Sequence, residues 1–381
     1  MSSHAHSLND SSDEEYAVKL LENMLKMYSP SGQEAELASY LKGELVSLGF
    51  KEVSVDSVGN VFGEAGRGRP HILFIGHIDT VSPFLPVKKS EGRLYGRGAV
   101  DAKSPMAAMI VAASRWIKSH DHGTVRVCCL VDEEGGGKGI KNLIESSPEA
   151  DYAIFGEPSG LRNVTVGYRG HIGVKLSVET EPVHISVGRK EFNAVELAID
   201  LWEKIREKLS ETKRSEKGEF HKVTSSIAGI EGGDGGNVTP RKCDLYVDIR
   251  VPPEVRCEDL TETLKRIVSK FNEENAKASA SMNVRFKVNP VLISKSSPVV
   301  RALTRSILKT LGGPVKFIKK LGTGDMNLLV SSLGIPAATY GPGDPKLSHT
   351  LNEYVEVEDY LNSIRVYHNA IFELCSMYRK G

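Results

Sequence analysis

Residues 71–80 read His-Ile-Leu-Phe-Ile-Gly-His-Ile-Asp-Thr, an apolar run that becomes polar at its end. The apolar part predicts a buried β-strand that ends at Gly76. Ligands of open α/β sheets bind at the carboxyl ends of strands, and His77 and Asp79 stand at that point. They are two residues apart, so an extended chain points them the same way, as a carboxylate that orients a ligand histidine requires. A purely structural histidine–aspartate pair is the alternative.

Further strands and helices alternate on either side of this segment. Apolar residues at helical spacing predict helices over 14–28 and 106–117, and apolar runs predict buried strands over 125–131 and 151–155. The same pattern resumes near the end of the chain, with a helix over 298–311, a strand near Val315 and a helix over 357–378. The alternation predicts an α/β fold whose sheet is mixed, largely parallel and covered by helices.

A different pattern interrupts the α/β domain over residues 167–290. Strand-like and helical stretches follow one another there in the order β-α-β-β-α-β, which is the split ferredoxin-like arrangement. The sequence therefore predicts an inserted ferredoxin-like α+β domain and a larger domain built from residues 13–166 and 291–381. Residues 1–12 are polar, rich in serine and without periodicity, so they predict a disordered tail with His4 and His6 in solvent.

The composition excludes several classes of protein. The 381 residues include 49 basic and 49 acidic residues, so no strong charge indicates a nucleic acid or a membrane as the partner. The longest apolar run is 106–113, whereas a transmembrane helix needs about 20 residues. No charged-then-apolar signal segment opens the sequence, which favours a cytoplasmic location. The five cysteines form no CxxC pair, so neither a disulfide framework nor a cysteine zinc site is expected.

Four more segments place acidic or imidazole groups at strand ends or tight turns: 96–103 (GRGAVDAK), 132–137 (DEEGGG), 156–159 (GEPS) and 348–353 (SHTLNE). The three adjacent carboxylates of 132–134 repel one another, and a bound cation relieves that repulsion. A solvated surface loop is the alternative. Together the segments supply two histidines and at least three carboxylates. Oxygen and imidazole ligands without thiolates suit zinc, cobalt or manganese.

The segment 96–103 also suggests a second kind of site. Its glycines, followed by Lys103 and Ser104, resemble a phosphate-binding loop. That motif requires glycines where Arg97 and Ala102 stand, so a nucleotide-binding α/β protein is the weaker hypothesis.

The five segments, in this order, resemble the dinuclear zinc aminoacylase and carboxypeptidase superfamily, which includes acetylornithine deacetylase and succinyl-diaminopimelate desuccinylase. The resemblance covers residues 14–378. It implies a metal-dependent hydrolase of linear amide bonds that carries two divalent ions, zinc or cobalt. It also implies that the inserted domain is a lid that mediates formation of a homodimer. A catalytically inactive metal-binding module on the same fold is the hypothesis from a different class.

The resemblance also implies roles for the motif residues. His77 and Glu157 would hold one ion, Glu134 and His349 the other, and Asp101 would bridge the two. The peptide bond after Asp101 would be cis.

Five further residues receive roles from the same resemblance. Asp79 would orient the first histidine, and Glu133 would be the general base that takes a proton from water and passes it to the leaving amine. His184 would reach a neighbouring active site and stabilise the oxyanion, although its context, EPVH, departs from the usual GKAAH. Substrate would be contacted by Asn237 and Arg250, the latter through a carboxylate.

The sequence also resembles one particular branch of the superfamily. GRGAVDAK, with VGYRG at 166–170 and GTGDMNLL at 322–329, resembles the hydrolases that act on an amino-group carrier protein. That branch releases lysine or ornithine from the γ-carboxyl of the carrier's C-terminal glutamate, so an acidic carrier would be the substrate. The basic segment Lys316–Lys320 and Arg169 are candidates for the route by which it approaches. The alternative is a deacetylase or desuccinylase of small N-acyl amino acids.

Overall fold

The structure, a computed structural model, describes residues 10–119, 122–212, 218–233 and 235–380. It divides into two compact units. The first holds the described residues of Met1–Val166, Ile293–Ile318 and Leu328–Gly381, and the second holds those of Gly167–Leu292 and Lys319–Asn327.

The helices and strands follow one another along the chain. The first half contains α1 (Asp10–Lys26), α2 (Ala35–Ser47), β1 (Lys51–Val55), β2 (Val61–Arg67), β3 (His71–His77), β4 (Lys88–Ser90), β5 (Arg93–Tyr95), α3 (Lys103–Ser119), β6 (Gly123–Leu130), α4 (Lys138–Glu145), β7 (Tyr152–Gly156), β8 (Asn163–Tyr168) and β9 (Gly170–Thr180). The second half contains α5 (Ala194–Glu211), β10 (Thr224–Gly232), β11 (Lys242–Val251), α6 (Cys257–Glu274), β12 (Ala278–Val288), β13 (Val291–Leu292), α7 (Pro298–Leu311), β14 (Lys316–Lys320), α8 (Asp325–Leu333), β15 (Ala337–Tyr340), β16 (Tyr354–Glu356) and α9 (Val357–Tyr378).

The main sheet has its strands in the order β1-β2-β6-β3-β7-β15-β8. Strands β6, β3, β7 and β15 run parallel to one another, and β1, β2 and β8 pair antiparallel at the two sides. The sheet is therefore mixed with a parallel centre, which confirms the predicted fold class. Because parallel strands end at the same edge, the residues that follow β3, β6 and β7 are brought together.

Apolar residues explain why these elements form. Strand β3 is buried on both faces, as central parallel strands are. Helix α3 is apolar around its whole circumference, with all residues from Met106 to Ala113 at most 3% exposed, because it packs on the sheet and is also contacted by α1 and α9. The first unit thus has one continuous core beneath the edge where the polar motifs gather.

The second unit has the predicted order β-α-β-β-α-β, from β9 to β12. Its four strands pair antiparallel in the order β10-β11-β9-β12. One side of each central strand is apolar, as with Ile172 and Val174 on β9, and this side packs against α5 and α6. The period-2 alternation in the sequence therefore corresponds to a sheet with one face covered by helices.

The start of the chain differs from the prediction. Helix α1 begins at Asp10, so residues 10–12 belong to a helix and not to the disordered tail predicted over 1–12. Residues 1–9, including His4 and His6, lie outside the described part. Among the residues that are described, no helix is long and apolar enough to cross a membrane.

Candidate active site

Five candidate ligands lie at strand ends or in loops of the first unit. His77 is the last residue of β3, Asp101 lies two residues before α3, Glu134 follows β6, Glu157 follows β7, and His349 lies in the loop before β16. Each comes from a different segment, and the common edge of the parallel strands brings the residues that end or follow β3, β6 and β7 to one place.

The distances divide the ligands into two groups that share Asp101. His77 Nε2 lies 3.3 Å from Asp101 Oδ1 and 3.6 Å from Glu157 Oε1. His349 Nε2 lies 3.4 Å from Asp101 Oδ2 and 2.7 Å from Glu134 Oε1. The two oxygens of Asp101 thus face different histidines, which is the geometry that a bridging carboxylate needs.

The donor set fits divalent cations. Ligand atoms of His77, Asp101 and Glu134 lie within 4.8 Å of one another. His77 donates its Nδ1 hydrogen to the backbone oxygen of Asp79 at 2.9 Å, which leaves Nε2 as the ligand atom. Three carboxylates meet at this point, and their mutual repulsion is relieved by positive charge. Nitrogen and oxygen donors without sulfur suit zinc or cobalt.

The pKa values of the site show how strongly its groups interact. Burial disfavours the charged form of His77, but hydrogen bonds to Asp101 and Asp79 outweigh it and raise the pKa of the imidazole. The hydrogen bond to Glu134 raises the pKa of His349. Burial opposes ionisation of Asp79, yet hydrogen bonds from His77 and other donors lower its pKa to about 2. Because metal ligands bind in their deprotonated forms, metal binding at this site should release protons.

Asp79 does more than orient His77. Its buried carboxylate accepts the backbone N–H groups of Glu133 and Glu134, each at 3.0 Å, and the hydroxyl of Ser31 at 2.6 Å. Asp79 thereby fixes the histidine of one ligand group through its backbone oxygen and the backbone of the two adjacent glutamates through its carboxylate. No sequence motif points to Ser31, and its contact with Asp79 is evident only in the folded structure.

The backbone of the ligand loops is unusual at four points. The Asp101–Ala102 peptide bond is cis, which confirms what the resemblance implies. Asp132 and His349 both have φ of 64°, a left-handed conformation that Asp and His adopt more readily than most residues. At Gly98, φ is +89° and a Cβ would lie 2.9 Å from the Lys103 side chain, so glycine is required there.

Lys103 has a structural environment. It is 1% exposed, and its Nζ donates to the backbone oxygens of Met24 and Met27 at the end of α1, at 3.0 and 2.7 Å. Burial lowers its pKa to about 7. A lysine held in this way is not available to a phosphate, which argues further against the nucleotide-binding alternative.

The other candidate residues lie in the second unit. His184 is exposed, with Nδ1 2.7 Å from Ser186 Oγ, and the backbone oxygen of the neighbouring Asn237 accepts from the N–H of Ile185 at 2.8 Å. His184 and Asn237 therefore stand side by side. Arg250 on β11 forms two hydrogen bonds to Asp248, at 2.8 and 3.0 Å, so a substrate carboxylate would compete with that aspartate.

Arg169 does not fit the role that the sequence suggested. It is 6% exposed, and its guanidinium donates to the backbone oxygens of Leu321 and Lys222 and to the hydroxyl of Thr224. It therefore links segments of the second unit, and little of its side chain is accessible to an incoming acidic protein. Lys316 and Lys319 are exposed.

Comparison with known proteins places this geometry in a family. A model of peptidase family M20/M25/M40 matches residues 73–373. A LysW-lysine/LysW-ornithine hydrolase of Saccharolobus solfataricus is 35% identical over 359 residues, covering 94% of this chain and 96% of that protein. Among solved structures, aminopeptidase PepT from Bacillus cereus matches with a TM-score of 0.80 and 21% identity, covering 95% of this chain and 98% of that one. A dinuclear metal-binding peptidase of the M20 family from Bacillus subtilis matches with a TM-score of 0.71 and 15% identity, covering 96% and 99%.

The chain belongs to peptidase family M20/M25/M40. The family match and the relatives' names make it a metal-dependent hydrolase, which confirms the enzyme class predicted from the motifs. The group of His77, Asp101 and Glu134 is the candidate centre for its metal.

Proposed function

We propose that this protein releases lysine or ornithine from the γ-glutamyl linkage of an acidic amino-group carrier protein, as a cytoplasmic step of amino-acid biosynthesis. The observation that supports the chemistry is the position of Asp101: its Oδ1 faces His77 and its Oδ2 faces His349. The 35% identity with a LysW-lysine/LysW-ornithine hydrolase over almost the whole of both chains supports the substrate.

The proposed ligands are the five that converge in the first unit. His77 and Glu157 hold one ion, Glu134 and His349 hold the other, and Asp101 is shared. Two zinc or cobalt ions would supply a more acidic water and polarisation of the amide carbonyl when bound. The residues around them bind, orient and transfer protons.

Glu133 is the proposed general base. Its neighbour Glu134 lies 2.7 Å from His349 Nε2 and is one of the proposed ligands, whereas the proposed role of Glu133 is to act on water. The backbone N–H of Glu133 is fixed by Asp79 Oδ1 at 3.0 Å. A carboxylate held beside the ions but outside their ligand set can take the proton of water and deliver it to the leaving amine.

The second unit supplies the proposed substrate contacts. Arg250 would exchange Asp248 for the α-carboxylate of the amino acid and form two parallel hydrogen bonds to it. Asn237 would contact the substrate beside His184. The exposed imidazole of His184 would donate to the oxyanion, a contribution of about 2.7–4 kcal/mol for comparable donors.

The substrate is tested by comparing the hydrolysis of the candidate substrates. Carrier-linked lysine and ornithine should be hydrolysed with a higher kcat/KM than acetyl-lysine, acetylornithine and succinyl-diaminopimelate. The rate on the carrier should fall as salt rises, since positive charge such as that of Lys316 and Lys319 speeds association with an acidic partner. Release of the free amino acid is measured for each substrate. Equal or faster hydrolysis of acetylornithine, with no salt effect, would place the protein among the acetylornithine deacetylases.

The homodimer is tested by mixing variants. If His184 completes the partner's site, a symmetric dimer is the active form. His184→Ala and Glu133→Gln should each be inactive alone. Their heterodimer has one site in which both residues are intact, so activity should return toward half that of the native dimer. Verified heterodimers that stay inactive would show that His184 acts within its own chain or not at all.

A further inference from the structure

Glu353 is a buried carboxylate beside the candidate ligands. It is 1% exposed and lies in the segment that supplies His349. Its Oε1 accepts three backbone N–H groups of the loop before α3, from Gly98, Val100 and Asp101, at 3.1, 2.9 and 3.0 Å. One oxygen therefore determines the path of the loop that presents the shared ligand.

Arg97 engages the other oxygen of Glu353. It is 2% exposed, and its Nη1 lies 2.8 Å from Glu353 Oε2. The same nitrogen donates to the backbone oxygen of Thr350 at 2.9 Å, and Nε donates to that of Pro83 at 3.1 Å. Thr350 follows His349 directly, and Pro83 lies in the loop after β3.

The pair thus joins three chain segments at the candidate site: the loop that follows His77, the Asp101 loop and the His349 loop. A buried ion pair is a weak source of stability, because desolvation of both charges offsets their attraction. The contacts instead fix orientation. The guanidinium is a rigid, planar group of donors, and the carboxylate accepts several hydrogen bonds at once, so each partner is held at a defined direction and distance.

We infer that Glu353 and Arg97 are positioning residues of the metal centre, an inference that rests on the ligand set proposed above. They hold the Asp101 loop and the His349 loop at the separation that lets one carboxylate serve two histidines. Neither side chain is one of the proposed metal ligands. Outer partners of this kind typically contribute about 10–100-fold to metal affinity or activity.

Two variants test the pair by different routes. Glu353→Gln keeps the shape and one acceptor but removes the charge that compensates Arg97. Arg97→Lys keeps the buried charge, but its single ammonium cannot reproduce the fork that reaches Pro83, Thr350 and Glu353 together. Metal-depleted protein is titrated with Co²⁺, and the visible absorption spectrum reports both affinity and ligand geometry.

We expect both variants to bind Co²⁺ about 10–100-fold more weakly, with an altered spectrum. At saturating metal, kcat should stay reduced while KM for the substrate changes less than about twofold, as expected when ligand geometry rather than substrate binding is disturbed. The matched control is Glu356→Gln, because Arg93 and Glu356 form an ion pair of the same types at 2.8 Å between the neighbouring strands β5 and β16. That pair is exposed, at 36% and 41%, and should have no effect on the spectrum.

The outcomes separate the inference from the function on which it rests. If native protein binds no pair of ions, the ligand set is wrong and the inference fails with it. If native protein binds two ions and both folded variants bind them with the same affinity and spectrum, the ligand set stands and the positioning role is wrong. If Glu353→Gln does not fold, Arg97→Lys decides alone, with thermal unfolding as the check that it is native.

Discussion

Replacement of Glu133 by glutamine should lower kcat by about 10²–10⁴ and leave both ions in place. The amide keeps the size of the side chain but cannot accept a proton from water. Its backbone position should persist, because the N–H that Asp79 holds is unchanged. Turnover and metal content are measured on the same preparation, so that loss of the base is not confused with loss of metal.

Glu134→Gln is the matched control for that experiment. It makes the same chemical change one residue later, on the side chain that lies 2.7 Å from His349. We expect it to weaken metal binding, with turnover partly restored by excess metal. A Glu133→Gln variant with near-native turnover would remove Glu133 from the mechanism, and equal metal loss in both variants would make it a ligand.

Loss of Asp101 should have the largest effect on the metal centre. Asp101→Ala removes the carboxylate whose two oxygens face both histidines, so both ions lose a ligand at once. Because outer partners alone contribute about 10–100-fold, affinity for the pair should fall by at least about 100-fold, and turnover should be lost. Metal content after dialysis and calorimetric titration with Zn²⁺ measure the change.

Asp151→Asn is the control for this variant. Asp151 is also an aspartate of the first unit, next to β7, but it pairs with Arg69 at 2.7 Å and accepts the backbone N–H of His71. Its loss should reduce stability slightly and leave metal affinity unchanged. Retention of two tightly bound ions by Asp101→Ala would show that the carboxylate does not bridge them.

The convergence of the candidate ligands can be predicted from the sequence because of a local signal. A buried strand followed at once by His or Glu is visible in a single stretch, as at His77 and Glu157. Parallel strands then bring such stretches together whatever their separation along the chain. The strands and helices of the second unit follow from a similar signal, since period-2 alternation and helical stripes are properties of short windows.

What the sequence does not reveal depends on contacts between distant segments. Glu353 and Arg97 are 256 residues apart, and nothing near either residue indicates that they meet. The burial of Arg169 is hidden for the same reason, because arginine is mostly a surface residue and its partners lie in distant segments. The position of Lys319–Asn327 in the second unit was also unpredicted, since by sequence it follows the return to the α/β pattern.

The way in which the chain enters and leaves the second unit limits how that unit can be exchanged. Gly167 and Tyr168 pair antiparallel with Leu292 and Val291, so the two ends of the long insertion lie next to each other. When the two ends of an inserted unit lie next to each other, the unit can usually be transplanted into another protein. Here a later segment is also needed, because buried Asn327 donates to the backbone oxygens of Arg169 and Asn289, at 3.2 and 2.8 Å. A chimaera that transplants residues 167–292 alone would lack these hydrogen bonds from Asn327, so the second unit has to be transferred as two pieces of chain.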